Sequence, residues 1–234
     1  MAHLAHYREA HPLPFVLTHW INLIAMVCLV LTGFYIHFPL FPNWMGVARG
    51  VHVFFGFVLL LNMLVRVVLA FFVKSAPYGG SREVAPDYKS FFPQKDNRHQ
   101  FGAWIKYYLF AKKDHPLSAK YGVLQKLSYL AIPFLILIMF ITGLSLWGPT
   151  QEYGLFAGLT ELVGGPMVMR IIHYYLMWVF ILFTFIHAYL ASIEGLAPLK
   201  IMFLRKESGG LLYDGTVHNI VGEDDGGEEG GHGH

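Results

Sequence analysis

Thiols and charges are both scarce in this chain. A single cysteine, Cys28, excludes an internal disulfide framework and any metal cluster built on several thiolates. Asp, Glu, Lys and Arg make up only 14% of the 234 residues, against about 25% in a soluble domain. No internal or inverted repeat is visible, and no pair of broken helices, the features that mark many transporters. A cleavable leader is not expected either, since the first apolar run is too long and no small-residue cleavage site follows it.

Apolar residues take the place of charge. The chain is 55% hydrophobic and 16% aromatic, with a mean hydropathy of +0.48. Four runs, Phe15 to Phe38, Val47 to Val73, Leu127 to Trp147 and Val168 to Ala191, each reach the roughly 20 residues needed to cross a bilayer as a helix. Backbone in hydrocarbon must satisfy its own hydrogen bonds, so the expected fold is an all-α integral membrane bundle of four spans.

The small net charge of +2 is unevenly placed. Lys74, Arg82, Lys89, Lys95, Arg98, Lys106, Lys112, Lys113 and Lys120 crowd the segment between spans two and three, whereas the other two connectors hold only Arg49 and Arg170. Positive charge stays inside, which puts the middle segment and both termini in the cytoplasm of a multi-pass membrane protein. Within that segment "HQFGAWIKYYLFAKKD" suits an interfacial helix, either a plain connector or a partner-docking surface. The connector "GPTQEYGLFAGLTELVGGP" is too short to cross, and "LAPLKIMFLRK" suits a helix along the inner surface. The expected division is a membrane domain over 1–206 and a disordered, acidic, Gly-rich tail over 207–234.

Thirteen histidines stand out against this background. His173 and His187 lie fourteen residues apart in span four, which on a helix means roughly 21 Å along the axis and about 40° around it. They share a face near opposite membrane surfaces, so one metal ion cannot use both. The topology supplies partners by depth: His52 with His173 near the outer surface, His19 with His187 near the inner one. Two bis-histidine sites stacked in a helical bundle suggest two b-type haems. Arg66 falls fourteen residues after His52 and needs an anion, for which a haem propionate is the candidate. Gly33, fourteen after His19, would let the outer macrocycle approach the backbone, as would Gly56 and Gly143. Spacing alone leaves His37 as a rival outer ligand, and interhelical hydrogen bonding as a plainer role for any one histidine.

Three stretches carry a resemblance: "THW" at His19, "ARGVHVFFG" followed by Arg66, and "IHYYLMWVFILFTFIHAYLA". With them the chain resembles, over about residues 15 to 206, the cytochrome b subunit of membrane-bound nickel–iron hydrogenases. That family is itself related to the cytochrome b (gamma) subunit of formate dehydrogenases. The passages "WIKYYLFAKKDHPLSAKYGVLQKLSYL" and "ITGLSLWGPTQEYGLFAG" look more like the hydrogenase branch. The resemblance favours His52 over His37, and it departs at Val16, where family members often carry Arg.

It implies a di-haem electron conduit anchoring the hydrogenase small (iron–sulfur) and large subunits in the membrane. Electrons would pass from the outer haem to the inner one and then to a quinone, menaquinone or ubiquinone, near the cytoplasmic surface. Glu194 is the candidate proton carrier there, with an ordinary interfacial glutamate as the alternative. Other readings are the equivalent subunit of a formate dehydrogenase or of a thiosulfate or polysulfide reductase, a stand-alone membrane cytochrome, or a proton-relay transporter.

Overall fold

The structure is a computed structural model that describes residues 4–76, 82–91, 99–113, 116, 123–193, 195–214, 217 and 219–225. Its helices are α1 (Leu13–His37), α2 (Met45–Phe72), α3 (Phe101–Tyr108), α4 (Val123–Leu146), α5 (Gly154–Leu162), α6 (Pro166–Ile193) and α7 (Ala197–Leu204). Helices α1, α2, α4 and α6 have the length and composition to cross a membrane. They start two to four residues before the apolar runs that predicted them. Between 11 and 22% of each apolar window is buried inside the protein, which leaves most of these apolar faces on its surface, as befits helices of membrane-crossing composition.

The chain divides into two compact units. One, the bundle unit, takes Thr18–Val65 and Ala131–Ala188. Its core is a cluster of Ala25, Leu59, Met63, Ile136 and Phe180, one or more from each spanning helix. Phe180 lies seven residues from each α6 histidine, so this apolar layer sits midway between them along the helix. Asn62 donates to the Thr18 carbonyl at 2.7 Å and to Asn22 Oδ1 at 2.6 Å, a polar tie between α2 and α1. The entrance to α6 is sharp: Gly164 and Gly165 take φ of 104° and 101°, which a side chain would resist, and Pro166 opens the helix where no amide partner is needed.

The other unit comprises Met1–Leu17, Arg66–Leu130 and Tyr189–His234. The aromatic face of α3 (Trp104, Tyr107, Tyr108) is buried against Leu190, and the helix forms where the basic-aromatic stretch predicts it. Two short antiparallel pairs qualify the all-α expectation: β1 (Lys74–Ser75) with β2 (Ala85–Pro86), and β3 (Gly210–Asp214) with β4 (Asn219–Asp224).

The second pair corrects the expectation of a disordered tail over 207–234. Residues 210–214 and 219–224 form a hairpin, and Tyr213 is buried. The acidic, Gly-rich composition belongs to residues 222–234. The stretch before it carries Leu211, Leu212, Tyr213, Ile220 and Val221 around an Asp-Gly dipeptide, a hairpin signature. The N-terminal arm joins this hairpin through bridges Leu4↔Leu211 and His6↔Ser208. Side chains add to the tie: Tyr7 donates to Asp224, Arg205 to the His11 carbonyl, and Arg82 pairs with both Glu9 and Glu207.

Candidate functional site: two histidine pairs in the bundle

Helix periodicity brings four imidazoles together as two pairs, all within the bundle unit. The rings of His52 (α2) and His173 (α6) have centroids 6.2 Å apart with planes at 63°. Those of His19 (α1) and His187 (α6) lie 6.1 Å apart at 52°. An imidazole nitrogen sits about 2 Å from a first-row metal it binds. Adding ~1.1 Å from each nitrogen to its ring centre, two axial imidazoles on one metal place their centroids roughly 6 Å apart. Both pairs match that span. Among the described residues no group of three or more His, Cys, Asp or Glu gathers in a metal-binding cluster. A metal held by either pair therefore draws its remaining ligands from outside the protein, as the four nitrogens of a porphyrin provide.

Glycine and threonine shape the outer pair. A Cβ on Gly33 would lie 3.4 Å from His52 Cε1 and 3.5 Å from Met177 Sδ. One on Gly143 would lie 3.3 Å from His173 Cε1. Both glycines therefore lie directly against the histidine rings, Gly143 more tightly than Gly33. Gly56 has nothing within 4 Å of its would-be Cβ. Beside each glycine stands a threonine: Thr32 Oγ1 is 2.9 Å from His52 Nδ1, and Thr142 Oγ1 is 2.8 Å from His173 Nδ1.

The remaining sequence candidates fall differently. The ring of His37 stacks on Tyr174 at 4.4 Å and meets Phe38 edge-on, while His52 is the ring that faces His173. Arg66 has an anion within the protein: its guanidinium is 2.8 Å from the Asp87 carboxylate and 3.8 Å over the Phe15 ring. Asp87 is fully buried and also accepts from Ser75 at 2.6 Å. Glu194 lies outside the described residues. Sequence reasoning missed Thr32, Thr142 and Asp87. A signal for the first two was present, since a Thr-Gly dipeptide recurs in "LTGF" and "ITGL" of spans one and three.

A multi-pass membrane protein with imidazoles paired face to face between its spans belongs to the class of membrane cytochromes. The chain is a member of the prokaryotic cytochrome b561 family, whose model matches residues 10–204. It is 25% identical over 198 residues to a probable nickel–iron hydrogenase 1 B-type cytochrome subunit of Escherichia coli K12, covering 77% of this chain and 80% of that one. It is 28% identical over 217 residues to a probable hydrogenase B-type cytochrome subunit of Azotobacter chroococcum, covering 86% of each. A putative protein-methionine-sulfoxide reductase subunit of Azospira oryzae is 26% identical over 195 residues, covering 78% of this chain and 90% of that one. The chain is accordingly a b-type membrane cytochrome of electron transfer, and the family implies haem b.

Proposed function

We propose that the chain is the di-haem membrane subunit of a respiratory hydrogenase, with both termini in the cytoplasm. In this reading His52 and His173 hold an outer haem and His19 and His187 an inner one. Bound there, the haems supply reversible one-electron chemistry that links an iron–sulfur partner outside the membrane to quinone at its inner side. The observation that carries the reading is the presence of two facing imidazole pairs, each at the ring separation of two axial ligands on one metal. The names of the Escherichia coli and Azotobacter relatives support a hydrogenase as the partner. Pairing of the N-terminal arm with the C-terminal hairpin supports placing both ends on one side of the membrane.

The protein's own contribution is positional. The spanning helices hold each pair of rings face to face, and neutral imidazole is the form that ligates. The apolar layer around Phe180 separates the pairs. Arg66 is tied to Asp87 and anchors residues 87–91 to the end of α2. A reduced-minus-oxidised spectrum with haem counted per chain tests the reading. Two b-type haems support it, and none refutes it.

A second reading rests on the Azospira relative, which is named a putative subunit of a protein-methionine-sulfoxide reductase. Subunits co-purified with the tagged chain separate the two. A nickel–iron large subunit supports the hydrogenase reading, and a reductase subunit supports the alternative.

A further inference from the structure

The two outer histidines are held in the same manner by two different helices. On α1 the Thr32 hydroxyl lies 2.6 Å from the Cys28 carbonyl and 2.9 Å from His52 Nδ1. On α4 the Thr142 hydroxyl lies 2.9 Å from the Met139 carbonyl and 2.8 Å from His173 Nδ1. A hydroxyl has one hydrogen and two lone pairs, whereas a carbonyl oxygen only accepts. The hydroxyl hydrogen therefore goes to the carbonyl, and a lone pair faces Nδ1. Only an Nδ1 that carries a hydrogen can bond to it. A hydrogen on Nδ1 leaves the Nε2 lone pair open.

Resting on the di-haem reading, we propose that Thr32 and Thr142 are positioning residues of the outer site. They fix the Nδ1–H form of His52 and His173, aim Nε2 at the metal, and lower the potential of the haem held there. A ligand histidine that donates its second N–H becomes a stronger base, which favours the ferric state. Each hydroxyl is already polarised by donating to a carbonyl, which strengthens it as an acceptor. Among the described residues no hydroxyl bonds the rings of His19 or His187. The effect is therefore confined to the outer site.

Redox potentiometry on the purified full-length protein, with EPR of its ferric signals, tests this assignment. Thr32→Val and Thr142→Val keep side-chain shape and remove the hydroxyl. Each is expected to raise the midpoint of the haem that disappears in His52→Ala, to shift that haem's g-values and to leave the other haem unchanged. Thr32→Ser and Thr142→Ser are expected to restore both values. Unchanged potential and g-values in the Val variants overturn the assignment. If a Val variant loses the haem, recovery in the Ser variant supports the hydroxyl's role, and no recovery overturns it. A wild-type protein with fewer than two b-type haems sinks the di-haem reading instead. In that event the ¹⁵N shifts of His52 and His173 still report the tautomer, and an Nε2–H form overturns the assignment.

Discussion

Single residues decide most at the outer site, where a ring, a hydroxyl and a missing side chain occupy one small volume. His52 faces His173, while His37 is engaged in stacking on Tyr174. His52→Ala is therefore expected to remove one of two b-type haems and His187→Ala the other, with His37→Phe retaining both, as read by haem content per chain. Loss of the outer haem in His37→Phe would reverse this pairing. Position 143 is tight, since an added Cβ falls 3.3 Å from His173 Cε1 and the ring would have to give by a few tenths of an ångström. Gly143→Ala should perturb the outer haem's spectrum or occupancy, while Gly56→Ala, with open space around it, should change neither. The histidine pairs were legible in the sequence because helical rise and rotation convert spacing into depth and facing. The threonines were not, because a hydroxyl on a spanning helix usually bonds its own backbone, and only the packed neighbour reveals a second partner.

At the scale of elements, the four spans follow from apolar length alone, and the structure shifts their starts by two to four residues. What length could not supply is the partner for the charge near the end of α2. Arg66 and Asp87 are 21 residues apart in sequence, across a segment rich in Pro, Gly and Ser. No periodicity links such positions; they meet only because β1 pairs with β2 and turns the chain back. Breaking a buried ion pair by removing one partner costs about 3–5 kcal/mol, because the other charge stays buried and unpaired. Asp87→Ala should lower thermal stability in detergent by an amount of that order, and Arg66→Met in the same background should recover part of the loss. Additive effects of the two substitutions would show that the pair contributes no coupling. The hairpin β3–β4 was hidden for a different reason. The acidic glycine-rich end biased the whole region toward disorder, although the residues just before it favour strands.

Across the whole molecule, the arm and the hairpin join the two ends of the chain. Burial holds the His6 imidazole below its ordinary pKa of 6.5. The folded arm thus binds its proton less readily than the unfolded arm does. Its contribution to stability is complete above pH 6.5 and is lost as pH falls through the lowered folded value. Hydrogen exchange at residues 4–11 and 208–214 should therefore quicken on acidification below pH 6.5, and His6→Asn should flatten that dependence. Tyr7 shows the opposite sign. Burial, followed by its bond to Asp224, raises its pKa to about 12, so its contribution persists to pH 10 and fades as pH approaches 12. Reporter fusions at either terminus should show the same membrane side, and opposite sides would refute the four-span topology.

The sequence by itself determined the number of spans and the spacing of the histidines along them, because these depend on length, composition and helical geometry. Tertiary structure alone decided which imidazole faces which, that a carboxylate of the protein meets Arg66, and that threonine hydroxyls bond the two outer rings. Those contacts join residues twenty or more positions apart, and only packing of the helices and loops brings them within hydrogen-bond distance.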